Sequence, residues 1–174
     1  MNLKINPFIS AEKIQSRIDE LGKELTKKFK DKHVVAICVL KGSFLFYSDL
    51  IRKIDTDISC EFFGVSSYHG ASSSGEVKVT LDLTRPIENK HVLLVEDIVD
   101  TGLTMNYLKN SILSRKPASL TTVALLEKPE ALKVPCTLDH VGFQITNEFV
   151  VGYGLDYEGH YRNLPFIGQV QNFQ

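Results

Sequence analysis

No Cys-x-x-Cys pair, no His-Glu-x-x-His and no Cys/His cluster occurs among the three cysteines and five histidines, which argues against structural zinc. Cys38, Cys60 and Cys136 stand far apart, and Cys38 and Cys60 lie in strand-like apolar stretches, the pattern of buried free thiols in a reducing compartment. The strongly apolar runs, such as residues 34–40, fall well short of the roughly 20 residues needed to span a bilayer. Residues 1–7 lack the apolar stretch of a signal peptide, so a cytoplasmic protein without a membrane partner is expected. Neither sign of charge dominates, with 20 Lys plus Arg against 21 Asp plus Glu, so no global field recruits nucleic acid. Gly-x-x-x-x-Gly-Lys-[Ser/Thr] is absent, and Gly152-x-Gly154 has no third glycine at the dinucleotide spacing; kinase and dehydrogenase readings lose on those absences.

The chain has 174 residues, 43% of them hydrophobic, the size of one domain that buries about 70% of its unfolded surface. After Ser10, a suitable N-cap with Glu12 in the first turn, Ile14, Ile18, Leu21, Leu25 and Phe29 recur at helical spacing and predict a covering helix. Residues 34–40 read as a buried strand, 44–53 as an amphipathic helix opened by Gly42-Ser43, and 58–65 as another strand, making a βαβ unit. A second unit follows, with strand 91–95, helix 104–114 and strand 119–126, and one more strand is expected near 77–81. Strands alternating with helices of about 10 residues predict an α/β fold, a mainly parallel twisted sheet with helices on both faces. Residues 68–75 are polar, small and aperiodic, as in a mobile loop. Segment 142–174 has short strand candidates and aromatics; with the N-terminal residues it is expected to form a small hood over the sheet edge, within one domain spanning 1–174.

The chemistry concentrates in Val92-Leu93-Leu94-Val95-Glu96-Asp97-Ile98-Val99-Asp100-Thr101-Gly102-Leu103-Thr104. An apolar strand covered on both faces runs into three carboxylates and a hydroxyl-rich loop, and the helical pattern Met105, Leu108, Ile112 begins directly afterwards. Ligands bind at such carboxyl ends of strands because helix N-termini converge there with unpaired N–H groups. Thr101, Gly102 and Thr104 fit an anion cradle, with phosphate as its natural guest. Glu96 and Asp97 are adjacent, so an extended backbone sends their side chains apart, and both charges need hydroxyl donors or a cation. A sugar diol with Mg²⁺ supplies both. Asp100 then stands over the other end of a sugar phosphate, at its anomeric carbon or the incoming base. An isolated Asp-Thr-Gly serves as often as a helix cap; all thirteen positions together read as a ribose 5-phosphate site.

Those residues resemble the signature of the type I phosphoribosyltransferases, which bind 5-phosphoribosyl pyrophosphate. Leu40-Lys41-Gly42, Ser67-Tyr68, Lys128 and the run from Val141-Gly142-Phe143 through Phe149-Val150-Val151-Gly152-Tyr153-Gly154-Leu155-Asp156-Tyr157 to Arg162 narrow the resemblance to the hypoxanthine-guanine phosphoribosyltransferases, over roughly residues 8–170. The resemblance implies the type I fold with its hood, and purine salvage: transfer of 5-phosphoribose to hypoxanthine or guanine, giving IMP or GMP and pyrophosphate. It also implies Mg²⁺ as cofactor, a 6-oxopurine and phosphoribosyl pyrophosphate as small-molecule partners, and a homodimer or homotetramer.

Residue by residue, the resemblance makes Asp100 the general base or acid at the purine imidazole ring. Glu96 and Asp97 orient the ribose hydroxyls and contact metal directly or through water, and Asp156 matches a carboxylate near a second metal. Thr101, Gly102, Leu103 and Thr104 hold the 5′-phosphate; some relatives carry Lys at the position of Leu103, so no charge contact is implied there. Lys128 matches the lysine that donates to the purine 6-oxo oxygen, a bond adenine cannot accept. Phe149 matches the aromatic stacked on the purine, Val150 the backbone at the base edge, and Arg162 a pyrophosphate contact suited to a planar, permanently charged fork. Lys41 and Gly42 match a turn that binds pyrophosphate through backbone N–H groups and can take a non-proline cis peptide. Ser67 and Tyr68 match a pair in a loop that closes over the reaction. Without the resemblance, Lys128 reads as a solvated charge, Phe149 and Val150 as core strand, Arg162 as a tail residue and Lys41-Gly42 as turn punctuation.

Two other readings share this fold. One is a xanthine-preferring enzyme, distinguished by backbone geometry around residues 150–156. The other is a non-catalytic regulator that senses phosphoribosyl pyrophosphate and binds RNA, against which the balanced charge and the purine-pocket candidates Lys128, Phe149 and Asp156 both stand.

Overall fold

Strand β2 (His33–Leu40) is buried from Val34 to Val39 because a helical layer covers each of its faces. The chain is described by a computed structural model over residues 4–67 and 77–171. Its main sheet has six strands in the order β4 (Val77–Leu81), β3 (Asp57–Ser67), β2, β5 (His91–Val99), β6 (Ser119–Glu127), β7 (His140–Gln144). All neighbours are parallel except the β3–β4 pair. Alternate residues of β2 and β5 feed two cores, as the two-residue strand period requires. Ala36, Cys38, Leu93 and Val95 pack with Ile14, Ile18, Leu21 and Leu25 of α1 (Ala11–Lys28) and with Phe46, Tyr47 and Leu50 of α2 (Phe44–Ile51). Val35, Ile37, Val39, Val92 and Leu94 pack on the other face with Met105, Leu108 and Ile112 of α3 (Leu103–Leu113). Ser10 caps α1 by accepting from the Lys13 N–H at 3.3 Å.

A second sheet joins distant parts of the chain: β1 (Ile5–Ile9), β9 (Ile167–Val170) and β8 (Val150–Val151) pair antiparallel in that order. The expected hood boundary at residue 142 needs correction. Val141 and Phe143 pair with Ala124 and Leu126, which puts residues 142–144 in the edge strand of the main sheet. A five-residue strand carries nothing in its pattern that says which sheet it joins.

The thiols also need correction. Cys38 and Cys136 are buried, but Cys60 is exposed. It shares a face of β3 with Phe62, which is itself 44% exposed although the Tyr47 ring of the eight-residue α2 lies 5.9 Å from that of Phe62. Tyr68 and the loop 68–75 lie outside the described residues; Ser67 ends β3, paired with Val77. Among the described residues, no helix is long and apolar enough to cross a membrane.

Candidate active site

After β2 the chain turns to β3 on one side; after β5 it turns to β6 on the other. This reversal leaves a crevice at the carboxyl ends of β2 and β5, where neighbouring connections diverge. A cavity of about 370 Å³ occupies it. Lys41 and Gly42 enter from the end of β2, Glu96, Asp97, Asp100, Thr101, Gly102 and Thr104 from β5 and its loop, and Asp156 and Arg162 from the hood segment. Val65 and Met105 add apolar wall that sequence reasoning did not assign to the site.

The acidic pair sits on β5 itself, since pairing with β6 continues through Glu96, Ile98 and Val99 rather than ending at residue 95. Burial pushes the Glu96 carboxyl well above the ordinary carboxylate range, and the charge of Asp97 adds to the effect. Asp97 is raised by burial too, opposed by the Ile98 N–H, which donates to its Oδ1 at 2.9 Å, and by the charge of Arg162. Adjacent positions that ideal strand geometry would send apart thus remain electrostatically coupled. Glu96 Oε2 is buried without a hydrogen-bond partner among the described residues. Hard, buried and unsatisfied carboxylate oxygens fit Mg²⁺. Asp156 differs: its Oδ1 lies 2.7 Å from Arg162 Nη2, and its Oδ2 accepts from the Gly159 N–H at 2.7 Å. No group of three or more His, Cys, Asp or Glu side chains converges as a metal cage among the described residues. These carboxylates would supply one or two ligands to such an ion, the number Mg²⁺ usually takes from protein.

Space for Asp97 comes from Gly42. A Cβ at that position would overlap Asp97 Oδ2, so the turn after β2 tolerates no side chain while the carboxylate keeps its place. The Leu40–Lys41 peptide is cis.

The phosphate-cradle candidates open α3. Gly102 is its N-cap with φ +80°, a left-handed conformation that glycine adopts without a Cβ penalty. The first-turn amides of a helix have no intrahelical acceptor; among the described residues that of Leu103 donates to Thr101 Oγ1 at 3.4 Å. Leu103 is 40% exposed and does not line the cavity with its side chain. The Thr101 carbonyl accepts from the Lys133 N–H at 3.0 Å, fastening the loop to the segment that follows the 3₁₀ turn at Pro129–Ala131.

Lys128 is no solvated lysine. Only 8% exposed, it receives Asp100 Oδ2 at 4.0 Å from its ammonium, and its backbone N–H donates to the Val99 carbonyl. Asp100 itself is half exposed. Phe149 is half-buried and meets Tyr157 edge-on at 5.9 Å, and Val150 is buried in β8; neither lines the 370 Å³ cavity. Arg162 is tied down rather than loose in a tail: Nη1 donates to the Gly154 carbonyl at 2.6 Å.

Sequence reasoning also missed Asp49 and Tyr153, which lie behind this wall; the Tyr153 hydroxyl donates to Asp49 Oδ2 at 2.5 Å. The available signal was an aromatic between two glycines in the run Gly152-Tyr153-Gly154.

The phosphoribosyl transferase domain model matches residues 10–158. The chain is 49% identical over 165 residues to the hypoxanthine-guanine phosphoribosyltransferase of Staphylococcus aureus strain Mu50, covering 94% of this chain and 92% of that protein. It is 48% identical over 162 residues to the bifunctional protein TilS/HprT of Listeria innocua, covering 92% of this chain but only 25% of that longer protein. The crystal structure of a hypoxanthine-guanine phosphoribosyltransferase from Bacillus anthracis, which holds a HEPES molecule in its active site, superposes with a TM-score of 0.91 at 44% identity, covering 97% of this chain and 99% of that one.

Proposed function

The chain belongs to the phosphoribosyl transferase family, and from that premise we propose that it is a hypoxanthine-guanine phosphoribosyltransferase of purine salvage. A 6-oxopurine ring nitrogen attacks C1 of phosphoribosyl pyrophosphate, the C1–O bond to pyrophosphate breaks, and the ring nitrogen sheds its proton; the products are IMP or GMP and pyrophosphate. The supporting observation is the convergence on one crevice of an anion-cradling helix start, an acidic pair whose Glu96 is buried, and a fixed guanidinium.

In this reading, the amides and hydroxyls of Thr101, Gly102, Leu103 and Thr104 hold the 5′-phosphate, where helix polarity favours an anion. Glu96 and Asp97 face the ribose hydroxyls and are the residues that would hold Mg²⁺. When bound, Mg²⁺ neutralises pyrophosphate oxygens and makes them a better leaving group. Asp156, beside Arg162, is the hood carboxylate that would face a second metal. Lys41 and Gly42 present backbone N–H groups, and Arg162 its guanidinium, to the departing pyrophosphate. Asp100 takes the proton at the imidazole ring, and Lys128, 4.0 Å from it, donates to the 6-oxo oxygen. Phe149 stacks on the purine and Val150 meets its edge through backbone. The protein works in the cytoplasm on small molecules, without nucleic acid or membrane, as a homodimer or homotetramer whose single domain carries the second sheet as its hood.

An assay of hypoxanthine, guanine, xanthine and adenine with phosphoribosyl pyrophosphate, with and without Mg²⁺, tests the proposal. IMP and GMP should form with equimolar pyrophosphate only when Mg²⁺ is present, and adenine should give no product. RNA binding without any nucleotide formed would replace the enzyme by a regulator.

A further inference from the structure

Three successive residues of the hood segment have positive φ: Gly152 at +97°, Tyr153 at +48° and Gly154 at +98°. Glycine takes such angles freely, whereas a bulky side chain does so only where its surroundings enforce it. Tyr153 is 5% exposed, and its hydroxyl donates to Asp49 Oδ2 at 2.5 Å. Asp49 is in turn a junction. Gln15 of α1 donates to the same Oδ2 at 3.2 Å, and Arg52 pairs with Oδ1 at 2.5 Å. Those contacts hold the Asp49 carboxyl below its usual range despite its partial burial, so it presents a full negative charge to the tyrosine.

The anchor lies between two parts of the site. Asp49 belongs to α2, the helix that the Lys41-Gly42-Ser43 turn opens, and Ser43 Oγ is fastened to the Val39 carbonyl at 2.5 Å. Next to Tyr153, Gly154 packs so closely on the Gly42 carbonyl that a Cβ there would overlap it. The Gly154 carbonyl takes Arg162 Nη1 at 2.6 Å, its N–H donates to the Arg162 carbonyl at 2.9 Å, and Arg162 Nη2 holds Asp156. The turn after β2 and the Arg162–Asp156 pair therefore meet through one backbone contact, Gly42 against Gly154, with the Tyr153–Asp49 hydrogen bond alongside it.

We propose that Tyr153 and Asp49 form a positioning pair that sets Gly154 against Gly42 and so fixes the spacing between the backbone N–H groups after β2 and the Arg162 guanidinium. The inference rests on the phosphoribosyl-transfer reading, in which those two elements share the pyrophosphate. Neither residue touches the reactants. The pair tunes the pyrophosphate side of the site and leaves the purine side, built on Lys128 and Phe149, unchanged.

The test compares wild type with Tyr153→Phe, Asp49→Leu, Asp49→Asn and the double variant Tyr153→Phe/Asp49→Leu. Titration calorimetry with inorganic pyrophosphate and Mg²⁺ is read beside KM for phosphoribosyl pyrophosphate and for hypoxanthine. Tyr153→Phe and Asp49→Leu should each weaken pyrophosphate binding and raise KM for phosphoribosyl pyrophosphate by about tenfold, the effect of one buried charged hydrogen bond, while KM for hypoxanthine stays within about twofold. Asp49→Asn keeps an acceptor for the tyrosine and should restore most of the affinity. The double variant should be no worse than either single one, as expected for two ends of one interaction. Equal rises in both KM values, or a lowered melting temperature with pyrophosphate affinity intact, would overturn the positioning role. If wild type itself fails to bind pyrophosphate or to make IMP, the functional reading falls as well, which separates the two failures.

Discussion

The two edges of the main sheet carry cavities of opposite character. At the amino-terminal edge a space of about 580 Å³ is lined by Lys27, Lys30, His33, Asp55 and Asp57 among others, and at the carboxyl edge the 370 Å³ crevice holds Glu96, Asp97 and Asp100. The larger cavity is chemically spent. His33 Nδ1 lies 2.7 Å from Asp57, its Nε2 lies 3.1 Å from Ser59 Oγ, and the two ion-pair side chains are 41% and 79% exposed. The charges of that pair face each other and the solvent. At the carboxyl edge Glu96 is buried with one oxygen lacking a hydrogen-bond partner among the described residues, Asp97 beside it is half-buried, and a helix begins across the gap. Volume does not distinguish a site; unpaired charge held out of water does, because only a ligand relieves it.

The largest contrast should come from Asp100→Ala, which removes the proton acceptor and should lower turnover about 10²- to 10⁴-fold in a steady-state assay. Full activity in Asp100→Asn would remove that role. Lys128→Ala should raise KM for hypoxanthine by about 10- to 100-fold, the loss of one charged hydrogen bond, with a smaller change for phosphoribosyl pyrophosphate. Equal losses for both substrates would sink the contact with the 6-oxo oxygen.

Glu96→Gln should act in opposite directions on activity and stability. A carboxyl raised in the folded protein binds its proton more tightly folded than unfolded, so its contribution is intact below the unfolded value, about 4.3, and is lost as pH rises through the folded one. In chelator-treated protein the variant should therefore melt above wild type at neutral pH by about 2–4 °C per kcal/mol relieved, with the gap closing towards pH 4. A gap that is constant or reversed with pH contradicts the burial argument. At the other edge, His33→Ala should change turnover by less than about twofold and stability by no more than about 1 kcal/mol. A large loss of activity there would erase the contrast between the edges.

Much of the architecture was legible because it rests on periodicity. The uninterrupted apolar run of β5, the helical spacing of Ile14, Ile18, Leu21 and Leu25, and the alternation of units each follow from burying a strand on both faces or a helix on one. Cys60 departs from that logic since Glu61 and Phe63 bury one face of its strand while Cys60 and Phe62 on the other stay exposed. The expected start of the hood at residue 142 cuts into β7, because pairing partners leave no trace in five residues. Within the site, the segment 92–104 declared its residue types. The burial of Lys128 behind Asp100 did not show in Glu-Lys-Pro, because the surrounding strands close over it only in three dimensions. The hood was least readable. Tyr153, Glu158 and Tyr161 take positive φ without being glycine, and the Tyr153–Asp49 bond joins residues 104 positions apart. Backbone conformations imposed by tertiary contacts have no compositional signature.

A crystal structure of the protein soaked with IMP tests the central claim most directly. The 5′-phosphate should sit within hydrogen-bonding distance of the amides and hydroxyls of residues 101–104, with the ribose hydroxyls towards Glu96 and Asp97 and the base between Lys128 and Phe149. A nucleotide bound elsewhere, with the loop after β5 left empty, would contradict it.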